Sequence, residues 1–219
     1  MAPLFGRSPG VGRDWLEIVV AVAISIAGLG TSWSAYQAAV WNSVQTVHYG
    51  KANGARVAAS TAALRAAATE SWEVGVLSDW VQAKEGGNDR LAAFYEKRFP
   101  AEFKPAFDEW MAQRPLENPD AAPSPFRLSS YRNSGLEQAE ALNRKAEAEF
   151  KAGQDSNGTS IAFTQCAVIL ATAMFFGGIG RVFDARWLRI LLCGMSVAAC
   201  LWGFERILVL PALLLGPPA

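Results

Sequence analysis

Three apolar segments limit what this chain can fold into, because each is long enough to cross a lipid bilayer. They run over residues 18–40, over 160–179, and from Trp187 to Arg206, and a membrane-crossing helix needs about 20 predominantly apolar residues. Residues 42–158, between the first two segments, carry 14 Lys and Arg and 16 Asp and Glu, which gives a net charge of −2. The pattern predicts an integral membrane protein with a long polar insert. The lack of a basic region disfavours nucleic-acid binding.

The polar insert has the composition of helices. Residues 42–84 contain no proline and are rich in alanine, so we expect the first apolar segment and this stretch to form one helix over 15–84. Gly86 is a helix stop, short helices follow over 90–98 and 100–114, and 129–155 forms a second long helix. A kink or a polar collar at 156–159 is left open. The predicted fold is all-α: three transmembrane helices, with a long helical hairpin and a small helical cap outside the membrane between the first two.

Arginines predict the orientation of the chain in the membrane. Arg7 and Arg13 precede the first apolar segment, and Arg181, Arg186 and Arg189 surround the short loop between the second and third. By the positive-inside rule both regions are cytoplasmic. Residues 42–158 are then expected to be periplasmic or extracellular, and the C-terminus is also expected outside.

The predicted regions follow from these boundaries. They are a cytoplasmic tail (1–14), transmembrane helix 1 (15–41), the external hairpin (42–158) with its cap (86–128), transmembrane helix 2 (159–180), a cytoplasmic loop (181–186), transmembrane helix 3 (187–208) and an apolar tail (209–219). The alternative that the first segment is a cleaved signal peptide is disfavoured by Asp14, by Glu17 and by a tryptophan at the critical position of the best cleavage pattern, Trp33-Ser34-Ala35.

The cap region combines aromatic residues with a proline-rich stretch. We expect a common core from its large apolar residues, which are Leu91, Phe94, Tyr95, Phe99, Phe103, Phe107 and Trp110. The stretch "PLENPDAAPSPF" (115–126) holds four prolines and is predicted to be an ordered or extended loop. Together with "TSWSAYQAAVW" (31–41) and "LAAFYEKRFPAEFKPAFDEWMA" (91–112), it resembles a family of small bacterial multi-span membrane proteins. The resemblance implies a location in a bacterial inner membrane. That family has no assigned activity, so the resemblance assigns no functional residues.

Polar side chains within the apolar segments are the first group of candidate site residues. Thr31, Ser34 and Gln37 recur every three residues along the first segment, Gln165 lies in the second, and Glu205 and Arg206 lie near the end of the third. Because lipid offers no hydrogen bonds, we expect Gln37 to have a partner within the bilayer, either Gln165 or a second copy of the first segment. Glu205 and Arg206 face protein or water, or extend to the interface.

A row of small residues is the second candidate feature. Gly50, Gly54, Ala58 and Ala62 are each four residues apart, so they predict a ridge on which another helix packs closely, with 129–155 as the expected partner. The alternative is that the two glycines mark a kink. A longer stripe of apolar or small residues with a 4-3 spacing is also predicted on one face of this helix, with members Val40, Val44, Val47, Gly54, Ala58, Thr61, Ala68 and Trp72.

Residues typical of catalysis are missing from the sequence. His48 is the only histidine, and no zinc-protease, dithiol, phosphate-loop or dinucleotide pattern occurs. We therefore expect no enzyme and no cofactor. The sequence favours a structural or accessory membrane protein that contacts lipid and self-associates, or presents its hairpin to an unknown membrane-protein partner. The alternative is an oligomeric channel or transport pore lined by Thr31, Ser34 and Gln37 of the first helix.

Overall fold

A computed structural model describes residues 11–180, 182–183 and 185–213 of the chain. Within these ranges the chain forms five α-helices and no β-strand, which confirms the all-α prediction. The helices are α1 (Val11–Glu85), α2 (Asp89–Glu96), α3 (Lys104–Ala112), α4 (Ser134–Ile179) and α5 (Arg186–Val209), and a 3-10 turn, Pro125–Arg127, precedes α4. Arg7, Arg181 and residues 214–219 lie outside the described residues, as does the side chain of Arg13.

Three of the helices are long and apolar enough to cross a membrane. They are α1, α4 and α5, and each contains one of the apolar segments found in the sequence. This number of apolar helices agrees with the sequence prediction. Their insertion into a bilayer and their orientation in it stay predictions.

The two longest helices are continuous where the sequence left breaks open. α1 passes through Gly50 and Gly54 as one helix, as predicted for 15–84. α4 likewise continues through 156–159. The Ser156 side chain is buried there, and its hydroxyl donates a hydrogen bond to the Ala152 carbonyl at 2.8 Å. This bond to the preceding turn satisfies the hydroxyl, so the polar segment continues the helix.

The start of α4 differs from the prediction of a helix over 129–155. Asn133 precedes the first helical residue, and its side-chain oxygen accepts a hydrogen bond from the Leu136 backbone N–H at 3.2 Å. An asparagine in this position satisfies one of the free N–H groups in the first turn of a helix. The cap therefore fixes the helix start at Ser134, and residues 129–133 are not helical.

The chain divides into two compact units. The first falls within residues 1–50 and 150–219, and the second comprises Lys51–Glu149. Each unit has its own buried residues.

In the first unit, parts of α1, α4 and α5 pack closely because small residues lie at their contacts. A Cβ atom added at Gly203 would lie 2.7 Å from a Leu170 methyl group, and one added at Gly177 would lie 2.9 Å from Ile24. The Ser196 hydroxyl donates to the Ala173 carbonyl at 2.7 Å and so joins α5 to α4. Small residues and hydrogen bonds of this kind are the usual means of association between helices in lipid.

The second unit has an aromatic core. Phe103 and Phe107 are fully buried, and α1 contributes Trp80, whose ring meets Phe107 edge-on at 4.9 Å. The buried members of the core are Leu77, Trp80, Ala83, Ala92, Phe99, Phe103, Phe107 and Trp110. Most of the predicted aromatic set is thus confirmed, but Leu91 and Phe94 are exposed on α2. The unit is held by edge-to-face and tilted ring contacts as well as by burial.

The proline-rich stretch is an ordered loop, as predicted, because side chains of α3 and its C-cap bind its backbone. The Trp110 indole N–H donates to the Ala122 carbonyl at 2.7 Å. The Ala122 N–H donates to the side-chain oxygen of Gln113 at 2.8 Å. Two hydrogen bonds to one loop residue replace the helical bonds that the prolines cannot make.

Candidate functional site

The polar residues of α1 point into the first unit. Ser34 and Gln37 are fully buried, and Thr31 is half-buried with its hydroxyl bonded to the Ala27 carbonyl at 2.8 Å. In the described part of the chain the Ser34 hydroxyl has no hydrogen-bond partner. An unpaired hydroxyl in an apolar surrounding is costly, so Ser34 is the least satisfied of the three.

Gln37 binds the backbone of the segment that follows α5. Its amide nitrogen donates to the Leu213 carbonyl at 2.9 Å, and its amide oxygen accepts from the Leu213 N–H at 2.9 Å. One helical turn later, the Trp41 indole N–H donates to the Pro211 carbonyl at 3.0 Å. We call this arrangement the Gln37 clamp. It holds residues 211–213 against α1 by three hydrogen bonds to their main chain.

The expected partner of Gln37 was therefore wrong. The sequence suggested Gln165 or a second copy of the first helix, whereas the partner is the main chain of Leu213. Gln165 is exposed. Both polar groups of the Gln37 side chain are used within one chain, and Ser34 is buried there too. A pore between copies lined by Thr31, Ser34 and Gln37 stays a prediction.

The polar residues of α4 and α5 lie beside a cavity on the outside of the helices. The cavity has a volume of about 610 Å³, and its walls come from α4 and from Trp202 and Arg206 of α5. The α4 part of the wall includes Thr164 and Gln165, whereas Glu205 of α5 does not line the cavity. Arg206 and Glu205 are both exposed. The cavity combines apolar walls with a guanidinium and an amide, the composition of a site for an amphiphilic ligand.

The predicted ridge of small residues does not pack as expected. A Cβ atom added at Gly50 or Gly54 would meet no atom within 4 Å, and Ala58 is exposed, while Ala62 is buried. A step of four residues rotates by about 400°, which shifts each member about 40° around the helix. The row therefore turns from the outer to the inner face, and its packing against 129–155 was wrong for Gly50, Gly54 and Ala58.

The buried face of α1 in the second unit is a different row. Its members are Ala52, Ala55, Ala59, Ala62 and Ala66, spaced by three and four residues as in a helix-packing seam. Asn133 donates from its side chain to the Ala66 carbonyl at 3.1 Å. Alanines at every position keep the backbones close. A Cβ atom added at Gly135 would lie 3.1 Å from the Ala66 Cβ.

The opposite face of α1 carries a second row of residues that is wholly exposed. We call it the outer seam; its members are Gly54, Val57, Thr61, Leu64, Ala68, Trp72 and Gly75. Val57, Leu64 and Trp72 are 68%, 73% and 50% exposed. At about 100° of rotation per residue, this seam lies about 180° from the buried alanines. Small residues recur every seven positions, at 54, 61, 68 and 75, and the large ones lie between them.

The second unit also buries a carboxylate. Glu73 of α1 is 2% exposed, and one of its oxygens accepts a hydrogen bond from the Tyr131 hydroxyl at 2.9 Å. Burial raises the pKa of Glu73, the bond from Tyr131 opposes this effect, and nearby Glu102 and Glu70 add to the rise. The pKa of Tyr131 is raised as well, by burial and by the Glu73 carboxylate. A carboxylate buried beside two others destabilises the fold when it is ionised.

We expect Glu73→Gln to stabilise the second unit at high pH. A carboxyl group whose pKa is raised by folding contributes stability below its ordinary pKa of 4.5, and that contribution is lost as the pH rises through the folded value. Glutamine keeps the acceptor for Tyr131 without the charge. Urea unfolding in detergent should show a gain of about 1 kcal/mol at pH 8 and a smaller difference at pH 4.

The exposed neighbour Glu70 provides the control for this experiment. Glu70→Gln removes the same charge from the same helix one turn away, and it should change stability much less. A Glu73→Gln variant with the same stability difference at both pH values would contradict the burial of an ionised carboxylate.

Sequence reasoning missed the Gln37 clamp partner, Glu73 and Tyr131. One feature of the sequence could have indicated Glu73. It is the charged member of a row of small or apolar residues on α1 that continues to Leu77 and Trp80. The cysteines, Cys166, Cys193 and Cys200, are free and buried. Among the described residues, His, Cys, Asp and Glu side chains form no cluster of three that would hold a metal ion.

Comparisons of the chain with protein-family models, with curated proteins and with solved structures gave no match. The resemblance of the proline-rich stretch to a family of bacterial membrane proteins thus stays a prediction.

Proposed function

We propose that this protein is a structural membrane protein that spans the bilayer with α1, α4 and α5 and self-associates through the outer seam. In this proposal the second unit is a helical hairpin in water, on the outer side of a bacterial inner membrane. Residues 51–149 carry 13 Lys and Arg and 15 Asp and Glu, a composition that suits water and not lipid. The outer seam is the observation that carries the proposal.

The outer seam contains no charged residue, although it belongs to a highly charged unit. Uncharged residues flank most of it on α1, including Ala58, Ser60, Ala67 and Ser71, with Arg65 near its middle and Lys51 and Asp79 at its ends. Protein interfaces lose charged residues at their centre in the same way. A monomer in water seldom exposes a continuous apolar strip of this length, so we infer that another surface covers it.

The spacing of the seam favours a second copy of the same helix as that surface. Val57 and Leu64 are seven residues apart, as in a heptad repeat, and small residues alternate with them. In a two-fold pair each large side chain of one copy meets small residues of the other, which makes the seam complementary to itself. Gly54 and Gly75 have open space on their outer side, so they leave room for such a contact.

The test is the oligomeric state of the full-length protein in mild detergent. Native mass spectrometry should find a dimer or a higher oligomer, and Leu64→Glu should weaken association at least about 30-fold, the effect of a central interface residue worth 2 kcal/mol. Two acidic side chains would then face apolar partners across the symmetry axis. Thr61→Cys, in a background without the native cysteines, should cross-link between copies.

Leu136→Glu is the matched control. Leu136 is an exposed leucine of the same unit, on α4 and away from the outer seam, and its replacement should leave the oligomer intact. Circular dichroism checks that both variants keep their helices. A monomeric wild type, or equal effects of the two variants, would refute the proposal.

A further inference from the structure

The structure assigns a second site, the cavity between α4 and α5, to the headgroup and upper acyl chain of an anionic membrane lipid. This inference shares with the proposed function the premise that these helices cross the membrane. It does not depend on self-association. It concerns the cavity of about 610 Å³ described above, which lies within the first unit.

One level of the cavity is polar. Contacts between α4 and α5 give their register: Ser196 bonds to Ala173, and Gly203 approaches Leu170 and Ile169. Because the helices run in opposite directions, Arg206 lies at the level of Gln165. A guanidinium and an amide that line the same cavity at one level supply several N–H donors, which suits a phosphate group.

Arg206 is exposed near the end of α5, and it lines the cavity. Glu205, the nearest acidic residue in sequence, is not part of the cavity wall. An anion in the cavity would pair with the Arg206 guanidinium.

The rest of the cavity is apolar and opens outward. Val168, Ile169 and Trp202 line it further along α4 and α5, and Val168 and Trp202 are 61% and 57% exposed. These residues belong to helices apolar enough to cross a membrane, so their exposed side faces lipid chains. An acyl chain against them and a phosphate at Arg206 fit the two parts of one phospholipid. A soluble anion would leave the apolar part uncovered.

The experiment measures lipid binding to the full-length protein in detergent. Phosphatidylglycerol and phosphatidylcholine are added separately, and bound lipid is counted by native mass spectrometry together with the melting temperature. We expect phosphatidylglycerol to bind and to raise the melting temperature more than phosphatidylcholine does. Arg206→Gln should reduce its affinity about fivefold, the effect of one basic residue near an anionic headgroup, and should abolish the preference.

Two further variants keep the test decisive. Val168→Trp fills the apolar part and leaves Arg206 in place, and it should also lose bound phosphatidylglycerol. Arg186→Gln removes a positive charge at the opposite end of α5, and it should keep the preference. Equal binding of both lipids to the wild type, or an equal loss in Arg206→Gln and Arg186→Gln, would overturn the assignment. Stabilisation by inorganic phosphate alone, equal to that by phosphatidylglycerol, would overturn it too, because the site would then bind a free anion.

Discussion

Phe103→Ala is expected to lower the free energy of unfolding of the second unit by about 3–5 kcal/mol, as is usual when a buried phenylalanine is truncated. Phe103 is 0% exposed. Its ring lies 5.2 Å from that of Phe99 and 5.2 Å from that of Phe126. It thus joins the chain before α3 to the 3-10 turn at the end of the proline-rich loop. Alanine would leave a cavity at the point where these segments meet.

Urea unfolding followed by tryptophan fluorescence would measure this loss, since Trp80 and Trp110 both belong to the aromatic core. The control is Phe94→Ala, because Phe94 lies on α2 and is 47% exposed. We expect a loss below about 1 kcal/mol for this variant. Similar losses for the two variants would show that the aromatic residues do not form the core described here.

The aromatic core shows what the sequence can predict about this unit. Phe99, Phe103, Phe107 and Trp110 recur at intervals of three and four, so a common buried face followed from helical periodicity. Leu91 and Phe94 were assigned to the same face wrongly, because α2 is only two turns long and its period does not fix which side is covered. Leu77 and Trp80 of α1, and Tyr131, were missed because nothing local links them to α3.

The long helices were easier to predict than their contacts. The lack of proline and the abundance of alanine were enough to predict α1, including its passage through Gly50 and Gly54. They were not enough to predict which face of α1 packs against other segments. Two rows with similar spacing lie on opposite sides of α1, and both consist of small or apolar residues. Burial of Ala52, Ala55 and Ala59 rather than Gly54 and Ala58 is decided by the neighbouring segment, which a single helix does not reveal.

The partner of Gln37 could not be predicted for a different reason. A backbone amide is present at every residue other than proline, so no side-chain pattern distinguishes Leu213 from its neighbours. The sequence does require that a buried amide side chain be satisfied, and that requirement is met. The groups that satisfy it belong to the main chain of Leu213, 176 residues further along the sequence. The position of Leu213 depends on where α5 ends.

Gln37→Leu is the second change with a large expected effect. It removes the donor and the acceptor that hold Leu213, and it leaves a backbone N–H and C=O without partners beside an apolar side chain. Each such group costs about 1–3 kcal/mol if it stays buried, so we expect residues 211–213 to leave α1. Hydrogen exchange of the Leu213 amide should then become at least about tenfold faster, the equivalent of 1.4 kcal/mol.

Gln165→Leu is the control for the clamp, because Gln165 is an exposed glutamine in another apolar helix and is not part of it. This variant should leave the exchange of Leu213 unchanged.

The oligomeric state of Gln37→Leu separates the clamp from the arrangement that the sequence had suggested, in which Gln37 meets a second copy of α1. If the variant dissociates the oligomer while Leu213 stays protected, Gln37 acts between chains. If exchange rises and the oligomer persists, Gln37 acts within one chain, and the oligomer forms without the intramembrane glutamine.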